Sequence, residues 1–340
     1  MERMRTKYVA VHRATSKSKS ALKKGSSHRS FGAWVIVCVM VASVITGTLV
    51  QLRSLQRENA SLRQQLASTS ASAKFYATQA ARTCFVEGDW SSNQTKEVTA
   101  SVKGTPRSYL IHTPAGFDKS KYYPLVLFYV GRGGGANGAG VTYGLNNLPA
   151  IVAYPSPTVG DQNMTAWEGA PYSSNADDIA FTSAILDDMQ SKLCIDRTHV
   201  YAAGLSNGGG FAALLSCHMS DRLAAIAVES GAMYPPEQSC KPARPVPMIV
   251  THGDQDPTVP YYGSVLRHLA PVEKWTAMRA ALNNCSDPTT TYPGSDITLT
   301  EWNKCQHGAE VESYRIVGGG HGWGAISNQS IWRFLSQFSI

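Results

Sequence analysis

Three segments of this 340-residue chain carry side chains that can do chemistry together. The first is Gly204-Leu205-Ser206-Asn207-Gly208, a G-x-S-x-G pentapeptide. The second, Thr251-His252-Gly253-Asp254-Gln255-Asp256-Pro257-Thr258-Val259-Pro260-Tyr261, offers two carboxylates. The third is Gly318-Gly319-Gly320-His321-Gly322-Trp323. A serine hydroxyl is a weak nucleophile at neutral pH. It needs an imidazole to take its proton and a carboxylate to hold that imidazole in one tautomer. Ser206, a carboxylate and His321, in that order, are the parts of a nucleophilic acyl-transfer site. The pentapeptide alone is weak in a chain with 29 glycines; three matches in the required order are far stronger.

Such a site works only if the fold brings the three segments together. Apolar, β-rich runs at Arg107–Thr113, Pro124–Val130, Ala150–Tyr154, His199–Gly204, Ala224–Glu229, Pro247–Thr251 and Glu312–Val317 predict strands. Helical patterning covers Asp177–Cys194, Asn207–Met219, Val272–Asn283 and Ser327–Phe338. Asp177 and Asp178 open the first of these, where acidic side chains suit the helix dipole. Strands alternating with helices imply an α/β fold with a doubly wound, mostly parallel sheet covered on both faces. Each candidate lies just past a strand, where such a sheet places its site. Ser206 falls between a strand and a helix, so the helix N-terminus aims the Asn207 N–H at a developing oxyanion.

Several segments make the resemblance specific: Ala203-Gly204-Leu205-Ser206-Asn207-Gly208-Gly209, Ser220–Ala227, Arg244–Pro247, His252–Pro260 and Gly318–Trp323. Together they resemble the secreted polyhydroxybutyrate depolymerases and the feruloyl and acetylxylan esterases, the lineage of carbohydrate esterase family 1. The resemblance covers about residues 83–340 and implies an α/β-hydrolase. In the family's H-G-x-x-D-x-x-V-P pattern the last aspartate is the triad acid. That position is Asp256, with Asp254 as the lesser alternative. The implied activity is a serine carboxylesterase acting on small-molecule or polysaccharide-linked esters, with no metal and no organic cofactor. A polyhydroxyalkanoate depolymerase and a non-catalytic surface protein on a relic hydrolase fold are the alternatives.

One run departs from the family. A His-Gly-x-Gly-Gly sequence usually follows the oxyanion-loop strand, but here it is Tyr129-Val130-Gly131-Arg132-Gly133-Gly134-Gly135. Gly131 and the Arg132 N–H still suit an oxyanion hole with Asn207. The Arg132 side chain either faces solvent or steers an anionic substrate. Trp167 and Trp323 are candidates for an aromatic substrate pocket, or else for core packing.

Composition decides the surroundings. The net charge is +7. Residues 1–30 hold nine Lys or Arg against one Glu, a net of +8 that leaves the other 310 residues at −1. A nucleic-acid-binding fold carries its basic patch on itself, so that class is excluded. The basic tail, residues 1–32, runs into the charge-free stretch 33–50, whose 18 residues would span about 27 Å as a helix. A single-pass membrane anchor is expected there, with the N-terminus cytoplasmic and the catalytic part outside. Leu52, Leu55, Asn59, Leu62 and Leu66 then keep a 3-4 spacing in the stalk 51–82, either a short coiled coil pairing two copies or a solvated amphipathic segment. Cys84, Cys194, Cys217, Cys240, Cys285 and Cys305 make an even outward set, which reads as disulfides. Local separations favour Cys217–Cys240 and Cys285–Cys305, leaving Cys84–Cys194. No zinc spacing, P-loop or dinucleotide fingerprint is present.

Overall fold

Six parallel strands form the middle of one ten-stranded sheet, and their sequences show why. The computed structural model describes Gln51, Val86, residues 88–235 and residues 240–340. Its strands are β1 (Thr95–Val102), β2 (Thr105–His112), β3 (Tyr123–Tyr129), β4 (Ile151–Pro155), β5 (Thr158–Val159), β6 (Thr165–Ala166), β7 (Ile195–Leu205), β8 (Ala225–Glu229), β9 (Met248–Gly253), β10 (Thr289–Thr291), β11 (Ile297–Trp302) and β12 (Val311–Ile316). The order across the large sheet is β1-β2-β4-β3-β7-β8-β9-β12-β11-β10. Pairings from β4 through β12 are all parallel. Strands β4, β8 and β9 are buried at every residue. A parallel strand is covered by crossover helices on both faces, so it needs an unbroken apolar run rather than alternation. At each edge the pairing turns antiparallel, through β1–β2 and β2–β4 on one side and β10–β11–β12 on the other.

The helices are α1 (Ala139–Thr142), α2 (Asp178–Lys192), α3 (Asn207–His218), α4 (Val272–Leu282) and α5 (Asn328–Leu335). Helix α3 packs against β7, β8 and β3, while α4 packs on β12 and α5 on β8 and β9. Asp177 caps α2 by accepting a hydrogen bond from the Ala180 N–H at 2.8 Å, an N-cap worth about 1 kcal/mol. Its neighbour Asp178 is buried and ion-paired with Arg107 at 2.6 Å, so it does more than complement the helix dipole. These elements belong to one unit, Thr83–Ile340.

Disulfides join Cys217 to Cys240 and Cys285 to Cys305. Cys194 is also disulfide-bonded; Cys84, its expected partner, lies outside the described residues. So do the basic tail 1–32, the apolar run 33–50 and, apart from Gln51, the stalk 51–82. Among the described residues no helix is long and apolar enough to cross a membrane.

Candidate active site

Ser206 sits at the sharp turn between β7 and α3 with φ 59° and ψ −122°. For a side chain-bearing residue that backbone costs about 1–3 kcal/mol, and the surroundings must enforce it. They do so from three sides. The Ser206 N–H donates to the Glu229 carbonyl at 2.9 Å, and the Ser206 carbonyl accepts from the Gly210 and Ala232 N–H groups at 3.0 Å each. The flanking glycines allow the close approach. A Cβ on Gly204 would run into the Gly208 carbonyl, and one on Gly208 into the Tyr129 and Val130 carbonyls.

The loop after β3 closes the other side of the serine. A Cβ on Gly131 would lie 3.2 Å from the Ser206 Cβ, so Gly131 is packed directly against Ser206. Among the described residues, the N–H groups of Arg132 and Asn207 donate to no protein acceptor. Two free donors flanking the hydroxyl are what an oxyanion hole requires. The Arg132 side chain does not simply face solvent. Its guanidinium lies 4.3 Å over the Tyr172 ring and donates to Gln162 Oε1 at 3.0 Å. The Asn207 side chain grips the Trp167 backbone, accepting from its N–H at 2.7 Å. Trp167 is fully buried, stacks on Phe211 and donates through Nε1 to the Val130 carbonyl at 2.8 Å. With no face open to a ligand, it braces the serine turn and the oxyanion loop against each other.

His321 donates from Nδ1 to Asp256 Oδ2 at 2.7 Å, which leaves Nε2 with its lone pair as the base. Asp256 is buried, and both its oxygens are fully engaged. The Thr258 and Val259 N–H groups reach Oδ1 at 2.8 Å each, and His252 Nε2 lies 3.3 Å from Oδ2. His252 Nε2 also faces the Val259 carbonyl at 2.8 Å, so that nitrogen carries the proton. Burial alone would raise the Asp256 pKa. The hydrogen bonds from His252, His321 and the Val259 N–H outweigh it and hold the carboxyl well below the usual range. Asp254, by contrast, is taken by the Arg315 guanidinium at 2.9 Å and the Gly318 N–H at 2.7 Å.

The structure therefore brings His321 and Asp256 together and packs Gly131 against Ser206. No hydrogen bond joins the Ser206 hydroxyl to His321; catalytic contacts of this kind often tighten only with substrate bound. Trp323 and His321 line a cavity of ≈ 280 Å³ together with Glu229, Ser230, Thr251 and Ala325. Two residues of this site carry no chemistry in the sequence reading: His252, at a strand end, suits a local hydrogen bond there, and Glu229 closes a strand.

No family model matches the chain. By sequence it is 31% identical to feruloyl esterase B of Piromyces equi over 256 residues, 69% of this chain and 46% of that protein. It is 27% identical to feruloyl esterase D of Neurospora crassa, covering 71% of this chain and 86% of that one. It is 28% identical to the bifunctional acetylxylan esterase/xylanase XynS20E of Neocallimastix patriciarum over 56% of this chain and 27% of that one. The chain thus spans less than two thirds of the length of several relatives it matches. Among solved structures, the acetyl xylan esterase from Aspergillus awamori superposes with a TM-score of 0.52 at 15% identity, over 72% of this chain and 99% of that one; this likeness shows the fold. The fold is that of an α/β-hydrolase. Within that class, the sequences it resembles are those of feruloyl and acetylxylan esterases.

Proposed function

We propose that the chain is a serine carboxylic ester hydrolase of the feruloyl/acetylxylan esterase kind, and that Ser206, His321 and Asp256 carry the reaction. The observation that supports this best is the 2.7 Å contact between His321 and a fully engaged Asp256, in a fold that also holds Ser206 in a strained strand–helix turn. In this reading Ser206 Oγ attacks the ester carbonyl as its proton passes to His321 Nε2. The imidazolium is stabilised by Asp256, and the Arg132 and Asn207 N–H groups hold the oxyanion. His321 returns the proton to the departing alcohol, leaving an acyl-serine. Water, deprotonated by His321, then attacks that ester and releases the acid and the serine. Half-buried Trp323 lines the same cavity as His321. The disulfides fit the outward-facing compartment expected from the sequence.

Ser206→Ala tests this directly. Turnover of p-nitrophenyl acetate, a feruloyl ester and acetylated xylan is expected to fall at least about 10⁴-fold. A variant that kept the wild-type rate would overturn the reading. The unmade Ser206–His321 hydrogen bond favours a second reading, a carbohydrate-binding protein that kept the fold and lost the chemistry. Covalent labelling of wild type by a fluorophosphonate, absent in Ser206→Ala, separates the two. Rates on 3-hydroxybutyrate oligomers would identify a polyester depolymerase.

A further inference from the structure

The loop that carries His321 has little stiffness of its own. Residues 318–324 contain five glycines, with Gly318 at φ +72° and Gly324 at φ +97°. The position of the imidazole is therefore set by what holds the loop from outside. Asp256 holds the ring. A second set of contacts comes from the end of β8, the strand between those that deliver Ser206 and Asp256. Ser230 Oγ donates to the Gly322 carbonyl at 3.2 Å. Glu229 Oε1 accepts from the N–H groups of Gly324 at 2.7 Å and Ala325 at 2.9 Å. The main chain of the same Glu229 accepts the Ser206 N–H. One residue thus touches both the nucleophile's turn and the base's loop.

We propose that Glu229 is a positioning residue whose carboxyl group clamps the His321 loop to the strand end beside Ser206 and so sets the gap the proton must cross. The proposal rests on the serine-hydrolase reading. A core that needed only an acceptor would be served by an uncharged amide at lower cost, because burying a carboxylate is unfavourable. Yet Glu229 is only 2% exposed, and among the described residues its Oε2 has no hydrogen-bond partner. Burial pushes its carboxyl up to about 7, against the pull of the two N–H donors. The titratable groups that share its cavity are His252 and His321; Ile331 of α5 and Trp323 cover it on the helix side. The ionised form is the stronger acceptor for the two N–H groups, so the clamp tightens as pH rises through neutrality.

The test uses Glu229→Ala and Glu229→Gln in the whole chain, with Ser206→Ala as control. Glu229→Ala is expected to lower kcat about 10²-fold with KM little changed, the effect of a base held about 1 Å out of place. Glu229→Gln keeps an acceptor oxygen and is expected to restore most of kcat at pH 6, then to fall behind wild type above pH 8. Its kcat–pH profile should show one ionisation fewer on the acid limb. A folded Glu229→Ala with wild-type kcat, or a Glu229→Gln with an unchanged pH profile, overturns the proposal. If Glu229→Ala does not fold, the Glu229→Gln profile decides alone. Loss of turnover in Ser206→Ala alongside an indifferent Glu229 would sink this inference and leave the esterase reading intact. An active Ser206→Ala would sink both.

Discussion

Two aspartates lie two residues apart after β9, and their partners give them different work. Asp256 receives four donors, two main-chain N–H groups and two imidazoles, so it is fixed in place and kept ionised. Its interaction with His321 Nδ1 fixes which ring nitrogen stays bare. Asp256→Asn reverses that preference, because an amide NH₂ facing Nδ1 forces the proton to Nε2, and is expected to lower kcat about 10⁴-fold with the fold intact. Stopped-flow rates with an activated ester, together with an unchanged thermal midpoint, would check it; an active Asp256→Asn would remove Asp256 from the triad. Asp254 binds Arg315 and the Gly318 N–H, at the base of the histidine loop. Asp254→Asn is therefore expected to lower the unfolding midpoint and to reduce kcat by well under about 10²-fold, through looser positioning alone. The loop's motif pointed to Asp256. What no pattern shows is that His252, in that motif, is a second donor to the same carboxylate, since nothing in its spacing says which way its ring turns.

At the scale of elements, the β7–α3 turn concentrates the packing demands. Gly208 sits where the start of α3 crosses the end of β3, and any Cβ there meets the Tyr129 and Val130 carbonyls. Backbone cannot yield as a side chain can, so Gly208→Ala is expected to cost about 3 kcal/mol in urea unfolding and to displace Asn207 from the oxyanion. A Gly208→Ala chain as stable and active as wild type would show that the crossing relaxes. The same physics decides which elements can be read from sequence. Strands β3, β4, β8, β9 and the second half of β7 announce themselves because burial on both faces demands apolar runs. Strands β1, β10 and β11 do not. Thr95-Lys96-Glu97-Val98-Thr99-Ala100-Ser101-Val102 alternates exposed and half-buried positions at a sheet edge, and Thr289–Thr291 is wholly exposed. They pair antiparallel with the neighbouring strand in the chain, with only a few nonpolar residues facing the sheet, and a polar sequence of this kind looks like loop. Strands β5 and β6 are two residues each and carry no pattern at all. Ser206, Asp256 and His321 stand out as candidates in the sequence because each closely follows the end of a strand. Glu229 does not, because a glutamate closing Ala225-Ile226-Ala227-Val228-Glu229 reads as a strand meeting solvent. Only the placement of β8 between β7 and β9 buries it. For Trp167 the sequence leaves pocket wall and core packing both open, because it shows an aromatic side chain but not which of its faces are covered; the structure buries it.

For the whole molecule, the site's carboxyls make stability depend on pH in opposite senses. Asp256 has a folded pKa well below the ordinary aspartate value of 3.8, so it contributes stability above that value and the contribution is lost as pH falls toward the folded pKa. Glu229 works the other way. Its carboxyl titrates at about 7 in the fold against 4.5 unfolded, so between those values the native state binds the extra proton. Stability is then fully present below 4.5 and falls as pH rises through 7. The gap, at about 1.4 kcal/mol per pH unit, amounts to at most about 3 kcal/mol, with no discount for solvent because the side chain is buried. Glu310 and Glu312, also raised chiefly by burial, act in the same direction, so the whole chain should lose stability from pH 5 to pH 8. Glu229→Gln cannot ionise and removes only its own share. Urea unfolding at the two pH values is expected to show a decline in wild type that is steeper than in Glu229→Gln by about 3 kcal/mol, the variant being the more stable protein at pH 8. Parallel declines in the two proteins would mean that Glu229 stays ionised throughout this range. The carboxyl would then be held by donors beyond the Gly324 and Ala325 N–H groups, and its clamp would be insensitive to pH.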